Sequence, residues 1–187
     1  VRAAEIYELF PNVPRFTDYR KMFDAMSSQI DAVVIATPDH THALPALAAM
    51  QLRKHVYVEK PLTHNIGEAR QLLAAAQQYK VVTQMGNQGA SMDCNAELAE
   101  LVQVGAIGDI HTAHVWTNRP VWPQGVPTPV DKKKARKTLD WNLWLGPAPY
   151  RMYDPAYLPF KWRGWWDFGT GALGDMGYAL VNRGNYP

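Results

Sequence analysis

The stretch DAVVIATPDHTHALPALAAMQLRKHVYVEKPL, residues 31–62, decides the fold. Residues 32–36 form a short apolar run stopped by Thr37-Pro38, which reads as a buried strand. Thr41 is placed to cap the helix that follows, and Pro45 falls in its first turn, where a missing N–H costs little. Residues 55–58 then give a second strand. Outward from this stretch the pattern repeats. Asn65 with Glu68 three residues on resembles a capping box for a helix through Tyr79, and residues 81–85 give a third strand. On the other side, Thr17 is a candidate N-cap for a helix carrying Tyr19, Met22, Phe23 and Met26 on one face. Strands joined by single helices at this spacing predict right-handed crossovers and a parallel sheet of the doubly wound, Rossmann-like kind.

Beyond the sheet the character changes. A helix over residues 95–104 should end at Gly105, and residues 110–116 alternate like a half-buried antiparallel strand. All seven tryptophans lie at or beyond position 116. This shift places a domain boundary between about Gly86 and Ile110, so the fold class expected is α/β: part of a Rossmann-like sheet, then the start of an α+β domain with a mostly antiparallel sheet.

Composition bounds the function. With 187 residues, 47% hydrophobic and 19% charged, the chain reads as globular. A net charge of +2 gives no footprint for nucleic acid, and the basic run at 132–137 reads as a solvated loop. No apolar run approaches the ~20 residues that span a bilayer. Cys94 is the single cysteine, so neither an internal disulfide nor a multi-cysteine zinc site is available.

In an open α/β sheet, ligands sit beyond the carboxyl ends of the strands. Those ends carry Thr37-Pro38-Asp39-His40-Thr41-His42, then Glu59-Lys60-Pro61, then Gly86-Asn87-Gln88. Capping and surface polarity would also account for the two histidines, and no third ligand accompanies them for a metal. Lys60, held before a proline at a strand end, is a candidate for proton exchange with a substrate hydroxyl, although a lone lysine is more often a surface group. The run Gly169-Thr170-Gly171-Ala172-Leu173-Gly174 matches the dinucleotide fingerprint literally, but it follows Trp165-Trp166-Asp167-Phe168 rather than a hydrophobic strand, which argues against a pyrophosphate loop. Trp162, Trp165 and Trp166 near Arg163 could stack on a sugar or fill a core, whereas Trp141 and Trp144 read as core.

Residues 31–62, with the triplet Glu59-Lys60-Pro61, resemble the cofactor domain of the glucose–fructose oxidoreductase, inositol dehydrogenase and MocA family. The later run FKWRGWWDFGTGALGDMG, residues 160–177, resembles a bacterial subgroup of the same family. The resemblance implies NAD or NADP as cofactor and hydride transfer at a sugar, cyclitol or glycoside hydroxyl. It implies that Thr37, Pro38, His40, His42, Glu59, Lys60 and Asn87 line the dinucleotide. Lys60 and Asp175 would be catalytic, and Lys60, Trp162, Arg163, Trp166 and Asp175 would hold the sugar. Residues 1–90 would then be the later part of the NAD(P)-binding domain, and 91–187 the beginning of the substrate-binding and oligomerisation domain. The family's catalytic histidine would fall at Ala179, and from Tyr178 to Pro187 the likeness ends. No glycine-rich first βαβ unit is present, so the expectation is a chain cut at both ends, inactive by itself and self-associating, with a homo-oligomeric parent. An NAD-assisted glycosidase and a non-catalytic carbohydrate-binding remnant remain alternatives. The sequence leaves the compartment open.

Overall fold

A computed structural model describes residues 4–130 and 133–184, with side chains for 5–130 and 133–177. The chain divides into two compact units, residues 1–30 and 31–187.

The first unit holds two short helices, α1 (Ala4–Leu9) and α2 (Tyr19–Met26). Asp18, not Thr17, is the cap of α2. Its carboxylate accepts the Arg20 backbone N–H at 2.9 Å and is gripped by the Arg20 guanidinium, Nη2 to Oδ2 at 2.7 Å. A carboxylate that meets both charge and backbone outcompetes the neighbouring hydroxyl.

The second unit is built on a parallel sheet, β1 (Ala32–Ile35), β2 (His55–Glu59) and β3 (Thr83–Gly86), in the order β1-β2-β3. Val33 pairs with Val56 and Ile35 with Val58, so these side chains share the face covered by helix α3 (Ala43–Gln51). The α3 residues Ala46 and Ala49 are fully buried, because small side chains let the helix approach the strands closely. Helix α4 (Ile66–Tyr79) packs on α3. The Asn65 side chain accepts the Glu68 N–H at 2.9 Å, and Glu68 Oε2 accepts the His64 N–H at 2.9 Å, so the capping pair forms one residue further out than the standard box.

Four details differ from the sequence reading. Strand β1 is buried fully only at Ile35, while Val34, on the opposite face, is 72% exposed. Strand β3 starts at Thr83 rather than Val81. Thr41 does not cap α3. Its hydroxyl donates to the Pro38 carbonyl at 2.8 Å and closes a 3-10 turn, Asp39–Thr41, that precedes the helix. Residues 110–116 form no strand, and Ile110, Val115 and Trp116 are exposed. An alternating segment becomes a strand only against a ladder partner, and none of the described residues supplies one.

Helix α5 (Asp93–Gln103) closes at Gly105, whose φ of 72° lets the Ala106 N–H reach the Leu101 carbonyl at 2.9 Å. Of the basic run, Lys133, Lys134, Arg136 and Lys137 are exposed, and Lys132 lies outside the described residues. The rest of the unit packs on an aromatic core of Leu145, Tyr157, Trp162, Trp165 and Phe168. Trp141 and Trp144, on the short helix α6 (Trp141–Leu145), stack at 4.9 Å and lie against this core.

The glycine run 169–174 is explained by close packing. A Cβ on Gly169 would lie 2.6 Å from the Arg163 backbone. Gly171, at φ 66°, turns the chain into α7 (Gly171–Gly184). A Cβ on Gly174 would enter the Thr170 side chain. In an open helix Gly→Ala gains roughly 1 kcal/mol. Here overpacking against Thr170 reverses the sign, and Gly174→Ala is expected to lose about 1–3 kcal/mol. The urea midpoint at neutral pH measures it, and an unchanged or raised midpoint would refute the packing account.

Candidate active site

The three strand ends and the start of α7 converge. Helix α7 packs on the 3-10 turns Gln88–Ser91 and Lys161–Gly164, which brings Asp175 over the end of the sheet. Lys60 Nζ donates to Asp175 Oδ1 at 2.5 Å and to the Asp175 carbonyl at 2.9 Å, across 115 positions of chain. The Asp175 side chain is 8% exposed and that of Lys60 22%. Arg163 Nε stands 3.9 Å from the same Oδ1. Two cations thus compensate a buried carboxylate whose isolation would be costly.

The other end-of-strand residues separate into two groups. Thr37 is exposed, and Pro38 and Asn87 are half-buried at the same sheet end. Glu59 lies against Gly86, where a Cβ would meet its carboxyl carbon at 2.8 Å, and Gln88 Nε2 donates to its Oε1 at 2.8 Å. His40 and His42 instead hold the backbone. His42, 1% exposed, bridges strand ends with Nδ1 at 2.7 Å from the Pro61 carbonyl and Nε2 at 2.7 Å from that of Thr37. His40, 2% exposed, sits between the Trp144 carbonyl at 3.0 Å and the Phe168 carbonyl at 3.2 Å, against the rings of both residues. Burial pushes its imidazole down to about 4, against the hydrogen bonds to Trp144 and Phe168.

The tryptophans also divide. Trp162 and Trp165 are 5% and 7% exposed and belong to the core, while Trp166 is 76% exposed. Arg163 packs over the Trp162 ring at 4.3 Å, which fixes the guanidinium beside Asp175.

Asp39 stands in the strand-end run of the sequence reading, but no role follows for it from sequence. It is 4% exposed and accepts the Thr170 hydroxyl at 3.4 Å. Burial raises its carboxyl, countered first by His42, while Asp175 raises it further. The signal was present in the turn Thr37-Pro38-Asp39, but only the arrival of Thr170 shows that the side chain points inward.

The donor set tests the fit of a nicotinamide cofactor. A hydroxyl, a carboxylate, an ammonium and an amide at one sheet end (Thr37, Glu59, Lys60 and Asn87) suit a nicotinamide with its ribose. For the diphosphate, the described residues at this edge offer no glycine turn leading from a strand into a helix, and the 169–174 glycines are already filled by their own packing.

Two family profiles match the chain. One, described as an oxidoreductase family with an NAD-binding Rossmann fold, covers residues 2–87, and its companion, the oxidoreductase family's C-terminal alpha/beta domain, covers 103–186. The chain belongs to the Gfo/Idh/MocA family of oxidoreductases, and the family's cofactor is a nicotinamide dinucleotide. It is 32% identical to levoglucosan dehydrogenase of Pseudarthrobacter phenanthrenivorans over 98% of this chain and 39% of that protein. It is also 32% identical to inositol 2-dehydrogenase of Rhodococcus erythropolis, over 66% of this chain and 36% of that one. Among solved structures, KijD10, a 3-ketoreductase from Actinomadura kijaniata in complex with TDP-benzene and NADP, superposes with a TM-score of 0.51 at 27% identity, over 58% of this chain and 33% of that one. The chain spans less than two fifths of the length of either curated relative.

Proposed function

We propose that this chain contributes the nicotinamide-facing half of a cofactor domain, residues 1–90, and the first part of a substrate domain, residues 91–187, to an NAD(P)-dependent oxidoreductase of a sugar or cyclitol hydroxyl. The observation that carries the reading is the contact of Lys60 with Asp175, which joins a strand end of the first part to a helix of the second. One substrate hydroxyl inserted there would accept from the ammonium and donate to the carboxylate. Such a pair can hold the hydroxyl and pass its proton as the C–O bond changes order. Arg163, 3.9 Å away, helps balance the Asp175 charge and hold it in place, and Glu59 with Asn87 shapes the adjoining edge. The bound cofactor supplies the hydride chemistry. Ala179, on α7, stands where the family pattern has a histidine, and its side chain lies outside the described residues. Lys60 is therefore the proton-handling group in this reading.

The 187-residue chain alone is expected to bind neither NADH nor NADPH at micromolar concentration, because the described residues leave the diphosphate without a backbone cradle. The product of the full reading frame containing this sequence is expected to bind one of them and to oxidise or reduce members of a sugar and cyclitol panel. Cofactor fluorescence titration of both proteins, with turnover of the longer one, tests the reading. Tight binding by the short chain would overturn the account of the diphosphate, and a longer product without turnover on the panel would overturn the function.

A further inference from the structure

At the start of α4 lies a cleft of about 320 Å³, lined by neither Lys60 nor Asp175. Its walls include His64, Asn65 and Glu68 at the start of α4, the segment around Pro147, and Trp166 with Asp167. This volume is at the lower end of what small-molecule sites enclose.

The wall is constructed around an aromatic left in the open. Of three tryptophans within five residues, two enter the core and Trp166 stays 76% exposed. Its backbone is nevertheless held: His64 Nε2 reaches the Trp166 carbonyl at 2.7 Å, and the His64 N–H in turn donates to Glu68 Oε2 at 2.9 Å. Asp167, next along, is ion-paired with Arg151. The indole and two carboxylates are thereby anchored to α4 and to the aromatic core.

The charge pattern narrows the ligand. A metal cation would need several free carboxylate oxygens, whereas Arg151 already neutralises Asp167 and Glu68 Oε2 accepts the His64 N–H, and the described residues include no cluster of three metal-ligating side chains. An anion would need a free cation at the cleft, and the lining residues include neither a lysine nor an arginine. A neutral ring with one apolar face and several hydroxyls satisfies both conditions. Its C–H face packs on an indole, and its hydroxyls donate to carboxylate lone pairs that an ion pair or a helix cap leaves over.

We infer that this cleft binds a second saccharide ring, stacked on Trp166 with hydroxyls donated to Glu68 and Asp167. His64 lies four residues after Lys60, and Trp166 three after Arg163. The ring held there is the neighbouring unit of a glycoside whose reacting ring sits at Lys60–Asp175, a link that rests on the proposed function.

Indole NMR of the 15N-labelled chain tests this without cofactor or turnover. The Trp166 Nε1–H signal is assigned by its loss in Trp166→Phe, and methyl β-D-glucopyranoside and cellobiose are titrated in. The expected result is a saturable shift of that signal at roughly millimolar to tens of millimolar sugar, with Trp162 and Trp165 unmoved. Glu68→Gln, whose amide oxygen can still accept the His64 N–H, is expected to weaken binding about tenfold by removing a charged acceptor. Dispersed indole signals confirm that each variant is folded. The inference is overturned by an unmoved Trp166 signal, by equal affinity in Glu68→Gln, or by choline or AMP producing the same saturable shift. A shift without redox activity in the longer product keeps the cleft and removes the function. Redox activity without a shift does the reverse.

Discussion

Lowering the pH from 7 to 4 is expected to remove about 3 kcal/mol from the stability of the 31–187 unit through His40 alone. Its imidazole has an ordinary value of 6.5 and falls to about 4 in the fold, first of all because burial penalises the charged ring. A base depressed on folding binds fewer protons in the native state than in the unfolded chain. Its effect is therefore absent above pH 6.5, and stability is lost as pH falls between 6.5 and 4. The neutral ring has one N–H. Nε2 donating to Trp144 satisfies it, since the Phe168 carbonyl already accepts the His40 backbone N–H at 3.3 Å. Protonation adds a donor at Nδ1 facing Phe168, which offsets part of the desolvation but not all of it. Asp39 acts in the opposite sense, because its carboxyl is raised and its protonation favours the fold. Urea midpoints of the chain and of His40→Gln across this range separate the two groups. The variant is expected to lose the downward slope between pH 6.5 and 4, and a slope that survives in it would assign the effect elsewhere.

In the product of the full reading frame, Lys60→Met is expected to lower turnover by roughly 10²–10⁴, the range general acid–base groups supply. Cofactor affinity should change far less, since one ammonium is removed from a set of contacts. Lys60→Arg separates two roles. It keeps a cation beside Asp175, but a guanidinium does not give up its proton at working pH. If Lys60 moves a proton, arginine fails nearly as badly as methionine and flattens the pH profile. If Lys60 only holds charge, arginine restores most of the turnover. Removing the lysine also leaves Asp175, 8% exposed, facing Arg163 at 3.9 Å. The double variant Lys60→Met with Asp175→Asn, compared with each single change, shows how much of the loss is this stranded charge.

The parallel sheet was legible because its signals are local. Apolar runs at residues 32–35 and 55–58, the cap at Asn65 and the stop at Gly105 each depend on neighbours within a few positions, where hydrogen-bond geometry leaves little choice. The order Glu59-Lys60-Pro61, and the oddity of a glycine run behind tryptophans rather than behind a strand, could also be read directly from the chain. The segment 110–116 shows the limit, since alternation specifies a strand only if something pairs with it. Tertiary structure alone decided that Trp166 stays in water while Trp162 and Trp165 do not, that His40 is a buried clamp between Trp144 and Phe168, and that Asp39 points inward to Thr170. The meeting of Lys60 with Asp175 follows from the family resemblance, not from any local signal, and the structure shows it. Desolvation and charge compensation depend on which distant groups arrive at a point in space, and no local run of residues encodes that arrival.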